Sequence, residues 1–199
     1  MNELSCRDAV VTDRLILYRP SEAYIDAIYQ IHAHPETNRY NPHGPMQSVH
    51  EATDLLKHWQ SEWDEKRWGY WTVALRSDPR QIIGFGGISS RPRFGGSELT
   101  ERLKLQNAAN LYFRFAPESW GFGYAHEMAA KALELAFNQV GLQRVFGITR
   151  EANYPSRRAL EKLGLIYLET SNDNHVLGAQ LIYAIDADSY AKQRLQVGI

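Results

Sequence analysis

Cysteine is nearly absent. Cys6 is alone in 199 residues, which excludes an internal disulfide, and a thiol in a polar leader (1–11) reads as a bystander rather than a nucleophile. No run of about 18 apolar residues occurs, so no helical membrane span is expected. The N-terminus lacks the basic, then apolar, then small-residue order of a secretory signal, which makes the cytoplasm the expected location. An excess of one charge is missing too. The 22 Lys and Arg nearly balance 23 Asp and Glu, for a formal net charge of -1, leaving no broad electrostatic footprint for nucleic acid or an anionic membrane. Repeats and low-complexity segments are also lacking. What is present is ordinary globular composition, 44% apolar and 23% charged, at a length suited to one domain over 1–199 with a substantial core. A small-molecule partner is therefore expected.

The most informative stretch is 116–127, APESWGFGYAHE. Before it, 110–115 (NLYFRF) has the aromatic content of a strand, which Pro117 stops. After it, Ala125, Met128, Ala129, Ala132, Leu133, Ala136 and Phe137 recur at three- and four-residue steps, the period of a helix with one buried face. The first backbone N–H groups of such a helix have no internal partner and carry the positive end of its dipole, so an anion placed there is stabilised. Gly121 and Gly123 can adopt backbone angles that other residues avoid, and they let a phosphate come close to the amides. On these residues alone two readings stay open: a phosphate cradle, or a tight strand-to-helix turn that binds nothing.

Along the rest of the chain, 14–18 alternates as a first strand closed by Pro20, and Ser21 is placed to cap a helix carrying Tyr24, Ile25, Ile28 and Ile31. A proline-rich polar loop over 34–45 follows. Ser48 with Glu51 makes a capping box, and Ala52, Leu55, Leu56, Trp59 and Trp63 form the apolar stripe behind it. Segments 70–75 and 81–89 flank turn residues and predict a hairpin, in which Gly84, Gly86 and Gly87 suggest a bulge or a close backbone approach. The link 91–106 is longer than a hairpin needs, which marks a lid or an insertion. Beyond Gly141 come a strand over 144–149, a short helix with Pro155 in its first turn and Gly164 after its end, and two strands at 167–169 and 180–185.

Three stretches stand in a telling order: 12–19 (TDRLILYR), 117–127 (PESWGFGYAHE) and 153–165 (NYPSRRALEKLGL), the last with Asn-x-x-Ser followed by Glu-Lys-Leu-Gly. Together they resemble the opening strand, acyl-CoA loop and second motif of the GNAT superfamily of N-acyltransferases, and within it the ribosomal-protein N-terminal acetyltransferase branch. The resemblance implies an α+β class: the GNAT acyl-CoA N-acyltransferase fold, a mixed, mostly antiparallel sheet of about six or seven strands flanked by about four helices, with a core over about 12–185. It implies acetyl-CoA as co-substrate and an amine acceptor, either a small molecule or a protein N-terminus, and it leaves room for a homodimer. Two positions depart from the pattern. Glu118 stands where the superfamily has Gln or Arg, and is expected to point away from the phosphates. Asn110 stands where the branch often has Glu. These departures motivate the alternative of a CoA-binding sensor or interaction module without catalysis.

The resemblance also distributes roles. The backbone of Phe113, Arg114 and Phe115 would pair with the pantetheine arm as in strand addition, with a bulge opening the sheet; alternating aromatics would equally make an ordinary buried strand. Trp120, Gly121, Phe122, Gly123, Tyr124 and Ala125 would supply amides to the pyrophosphate. Asn153 would bond the arm or cap the next helix. Ser156 would protonate the departing thiolate or share in that cap, Tyr154 is a second donor, and Arg158 or Arg157 would reach phosphate. An ammonium has no lone pair, so the attacking amine needs a base within hydrogen-bond reach. Glu36, near Tyr40, is the choice, with Glu98 and Glu101 as alternatives. His50, Asp54 and His58 share a helix face at metal-ligand spacing. That face lies opposite the apolar stripe and lacks further ligands, so no metal is expected.

Overall fold

The computed structural model of the protein describes residues 9–90, 107–171 and 178–197. Eight strands run through these residues: β1 (Val10–Val11), β2 (Leu15–Tyr18), β3 (Tyr70–Leu75), β4 (Ile82–Ser89), β5 (Ala108–Phe115), β6 (Arg144–Arg150), β7 (Ile166–Ser171) and β8 (Gln180–Asp186). They form one sheet in the order β1-β2-β3-β4-β5-β6-β8-β7. Every neighbouring pair is antiparallel except β5 and β6. Five α-helices accompany the sheet: α1 (Ile25–Ala33), α2 (Val49–Lys66), α3 (Tyr124–Glu134), α4 (Tyr154–Lys162) and α5 (Ala187–Val197).

The expected α+β class and element order stand, but both counts rise by one or more. β1 is only two residues long and sits in what reads as a polar leader, so its sequence carries no alternation to detect. The helix α5 is largely polar; it is anchored by Tyr190, which stacks on Phe137 at 4.8 Å between ring centroids.

Apolar periodicity decides which helix covers which face. Ile28 and Ile31 of α1 join Ala52, Leu55, Leu56 and Trp59 of α2 over Tyr70, Phe85 and Ala116. Met128, Ala129, Ala132 and Leu133 of α3, with Leu160 of α4, pack over Leu15, Val73, Leu111, Phe115 and Val145. Each such fully buried large side chain contributes roughly 1.5–3 kcal/mol. The expected bulge and the expected close approach both occur in β4. Val73 faces Gly84 while Ala74 faces Ile82, a one-residue slip, and a Cβ on Gly86 would collide with the Met128 methyl.

The helix ends follow local chemistry. Ser48 Oγ accepts from the Glu51 amide at 3.3 Å, and the Glu51 carboxylate accepts in return from the Gln47 amide at 3.3 Å, one residue upstream of the usual reciprocal bond. Ser21 does not act as expected: it has extended backbone but makes no side-chain cap, and the chain enters α1 through a 3-10 turn at Glu22–Tyr24. The last turn of α3 widens into a π turn, Leu135–Val140, which closes at Gly141 with φ 75°. Glu62 of α2 is buried, and accepts from Ser89 Oγ at 2.7 Å and from the Ser90 amide at 2.7 Å, tying α2 to the end of β4. The lid or insertion expected over 91–106, including Glu98 and Glu101, lies outside the described residues.

Candidate active site

The sheet opens where its one parallel pair ends. β5 and β6 are in register from Ala108 with Arg144 to Leu111 with Gly147, and no pairing continues beyond. β5 meanwhile stays paired with β4 without a slip, from Asn110 with Ser89 to Phe115 with Gly84. The opening thus comes from divergence of two strands, and the bulge expected in β5 is not there. The carbonyls of Tyr112 and Arg114 lie against Gly86 and Gly84 of β4. By two-residue alternation the backbone groups of Phe113 and Phe115 face the opening instead. Arg114 therefore meets the opening through its guanidinium rather than its backbone. The Phe115 carbonyl already accepts from the Trp120 indole at 2.8 Å, which leaves Phe113 as the residue with a free edge there. A cleft of about 1020 Å³ occupies this gap.

At one end of the cleft the chain turns from β5 into α3. Gly121 has φ 84° and Gly123, the N-cap residue of α3, has φ 80°, so both use the left-handed region that strains other residues. A Cβ at Gly121 would meet no atom within 4 Å; conformation, with open space in front, is the reason for glycine here. Gly121, Gly123, Tyr124, Ala125 and Trp120 line the cleft, and Phe122 is exposed beside them, stacked on Tyr124 at 5.6 Å. Glu118 is exposed and away from the cleft wall.

The loop is braced from a distance. Arg14 Nη1 donates to the Phe122 carbonyl at 2.8 Å, its Nε meets Glu127 at 2.6 Å, and its guanidinium lies 4.9 Å from the Tyr124 ring centre. Glu127 also accepts from Thr12 Oγ1 at 2.6 Å and from the Arg14 amide at 2.8 Å. Partial burial works against its charge, but these hydrogen bonds win and hold its carboxyl below the usual range. The 12–19 stretch and the acyl-CoA-like loop are therefore one unit.

At the start of α4, Asn153 Oδ1 accepts from the Ser156 amide at 3.3 Å, the capping bond expected of its type. The Ser156 hydroxyl makes no such cap, and Ser156, Tyr154, Asn153 and Arg158 all border the cleft. Arg157 turns aside, with Nε on the Tyr183 hydroxyl at 3.3 Å and Nη1 on the Glu151 carbonyl at 3.1 Å.

Across the sheet, on the α1 and α2 side, sits a group that reading from spacing missed. Tyr112 of β5 meets His32 Nε2 at 3.3 Å, and His32 Nδ1 meets the Ile28 carbonyl at 2.8 Å. A carbonyl only accepts, so Nδ1 carries the proton and the Tyr112 hydroxyl donates to Nε2. Burial, reinforced by the Arg114 charge, lowers the His32 pKa to about 3 and keeps the ring neutral. Burial also pushes the Tyr112 phenol up, with Arg114 opposing. Arg114 Nη1 donates to Asn38 Oδ1 at 3.0 Å, and Asn38 Nδ2 donates to the carbonyls of His32 at 2.7 Å and His34 at 2.8 Å. Glu36, two residues before Asn38 in the same 3-10 turn, is exposed at the cleft margin. Asn110, on the same face of β5 as Tyr112, donates to the Tyr70 hydroxyl at 3.4 Å, and its Oδ1 is buried with no partner among the described residues. The signal available in sequence was the alternation Asn110, Tyr112, Arg114, three polar groups on one face of a strand. His50 and Asp54 lie on the exposed face of α2 at 3.5 Å, and among the described residues no three His, Cys, Asp or Glu side chains gather as a metal site. Nor is any helix among them long and apolar enough to cross a membrane.

A parallel strand pair that splays over a glycine turn at a helix start is what the resemblance to N-acyltransferases implies, and comparison with known proteins agrees. The chain belongs to the GNAT family of acetyltransferase enzymes: the family model described as Acetyltransferase (GNAT) domain matches residues 14–166. An uncharacterized N-acetyltransferase of Bacillus subtilis, YoaA, is 28% identical over 153 residues, covering 77% of this chain and 80% of its own length. Among solved structures, a GNAT-family acetyltransferase from Bacillus anthracis matches 90% of this chain and 99% of its own at 18% identity, with a TM-score of 0.72. A spermidine N-acetyltransferase from Vibrio cholerae, solved with CoA and spermine, matches 90% and 99% at 14% identity, with a TM-score of 0.71. At these identities the likeness to solved structures is one of fold.

Proposed function

We propose that the protein transfers an acetyl group from acetyl-CoA to a primary amine by direct attack of the amine on the thioester. The observation that carries this reading is the meeting, in one cleft, of the left-handed glycine loop at α3, the unpaired edge at Phe113 and the start of α4 at Asn153 and Ser156. Amides from Trp120 to Ala125 hold the pyrophosphate at the positive end of α3, the Phe113 backbone aligns the arm, and Arg158 adds a cation. Acetyl-CoA supplies the activated thioester. As the C–N bond forms and the C–S bond breaks, Glu36 takes a proton from the amine, directly or through water, and Ser156 gives one to the thiolate. The acceptor is a protein N-terminus, as the resemblance to the ribosomal-protein branch suggests, or a small amine, with which the polar loop over 34–45 is equally compatible.

The competing reading, a CoA-binding module without turnover, loses the support of Glu118, which faces solvent, and keeps that of Asn110. Acetyl-CoA should raise the melting temperature, and free CoA thiol should appear with at least one member of a panel of amines and peptides. A thermal shift without thiol release would favour the binding module; no shift at all would sink both.

A further inference from the structure

Among the described residues the amides from Gly121 to His126 donate to no acceptor; the first bond into α3 runs from the Glu127 amide to the Gly123 carbonyl at 3.0 Å. These are groups a pyrophosphate would meet, and the helix ladder does not fix their direction. Phe122 stands between two glycines with φ 84° and 80°, whose freedom makes the Phe122–Gly123 peptide cheap to turn over. In a planar trans peptide the carbonyl and the N–H point to opposite sides. One orientation therefore offers a phosphate a donor, and the other offers it a carbonyl oxygen, which repels it.

Arg14 removes the choice. Its Nη1 donates to the Phe122 carbonyl at 2.8 Å, which turns the Gly123 N–H the other way. Its Nε is held by Glu127 Oε2 at 2.6 Å, while Glu127 Oε1 accepts from the Arg14 amide at 2.8 Å and from Thr12 Oγ1 at 2.6 Å. The Tyr124 ring adds a second tie to the same loop, meeting the Arg14 guanidinium at 4.9 Å and the Phe122 ring at 5.6 Å. A guanidinium can serve a carboxylate and a carbonyl at once because its donors form a planar fork. The Arg14 and Glu127 charges offset each other, so what the pair gives the loop is direction rather than charge.

We infer that Arg14 and Glu127 are positioning residues for acyl-CoA: they hold the Phe122 carbonyl away from the cofactor phosphates and the Gly123 N–H toward them, and so set the affinity of the phosphate end. This rests on the acetyl-transfer reading and assigns two residues that do not touch the cofactor. It gives Glu127 a sign opposite to that of plain electrostatics. Removing a carboxylate from beside an anion site should tighten anion binding, whereas removing the anchor of Arg14 should weaken it.

The test is the affinity for CoA, measured by calorimetry, in the parent, Arg14→Gln, Arg14→Lys, Glu127→Gln and the double variant Arg14→Gln/Glu127→Gln. Arg14→Gln and Glu127→Gln should each bind about ten-fold more weakly. The double variant should bind no more weakly than either alone, because one residue acts through the other. Arg14→Lys keeps the charge and loses the fork, and should stay weak. With an amine acceptor, the loss should appear in KM for acetyl-CoA rather than in kcat. Tighter or unchanged binding by Glu127→Gln, parent affinity in Arg14→Lys, additive losses in the double variant, or a fall in kcat at unchanged CoA affinity overturns the inference. Should the Arg14 variants fail to fold, the sign of the Glu127→Gln effect decides. Absence of CoA binding in the parent overturns the inference together with the acyl-CoA site it rests on; CoA binding without turnover of any amine fails the acetyl-transfer reading alone.

Discussion

At the α3 end of the cleft the chain offers backbone: consecutive amides from Trp120 to Ala125, set by Gly121 at φ 84° and Gly123 at φ 80°. At the α1 and α2 end it offers side chains, with Tyr112 on His32 and Arg114 on Asn38, partners 80 and 76 positions apart. The first end is a local conformational problem, solved within a dozen residues. The second is assembled only when β5 crosses beneath α1. Under the proposed function the backbone end would recognise what every acyl-CoA shares, whereas a side-chain site can be changed one residue at a time, which is where a common fold acquires its separate acceptors.

The sharpest way to break this contrast is Gly123→Val. Space is not the obstacle, since the nearest atom to an added Cβ is an Arg14 nitrogen at 3.6 Å. The left-handed backbone is the obstacle, and a β-branched residue is a strong outlier there. The loop is expected to lose its amide geometry, and with it the thermal shift by acetyl-CoA and all measurable turnover. A Gly123→Val protein that still shifts and turns over would mean that the loop is not the phosphate site. Next in size is Ser156→Ala. The α4 cap runs from the Ser156 amide to Asn153 Oδ1, so loss of the hydroxyl leaves the cap intact. Turnover should fall by roughly 10²-fold with the acetyl-CoA shift retained; unchanged turnover would remove Ser156 from the chemistry.

The same contrast explains how much could be read in advance. The glycine spacing, the α3 stripe from Met128 to Ala136, the Ser48 cap and the Asn153 to Gly164 segment each carry their structural reason within a turn or two, and each was legible. Glu118 could be set aside on electrostatic grounds alone. Ser21 misled because a capping residue type does not guarantee a cap when the helix starts through a 3-10 turn. β1 and α5 escaped because one is too short and the other too polar to show a period. His32 carries no signal of its own in the sequence; its burial depends on Trp59 and Phe85, ring centroids 5.8 and 5.6 Å away, which come from other elements. Arg114 was legible as a strand residue, but its facing direction depends on pairing with β4.

The smallest expected effect probes the side-chain end through pH. His32 is held neutral in the folded protein, with a pKa of about 3 against 6.5 for an unperturbed ring. Between those values the unfolded chain binds a proton that the folded chain refuses, so acid favours unfolding. The contribution is fully present above pH 6.5 and is lost as pH falls toward 3, at no more than about 1.4 kcal/mol per pH unit for one proton. Carboxylates elsewhere titrate in the lower part of this range, but they are common to the parent and to His32→Gln, and cancel in the difference. Denaturant unfolding of both proteins between pH 6.5 and 4 should give a parent slope steeper by up to that amount. Parallel curves would mean that His32 accepts a proton in place. It would then no longer accept from Tyr112, because both ring nitrogens of a charged imidazole are donors, and the hydrogen-bonded face beneath Arg114 would have to be drawn differently.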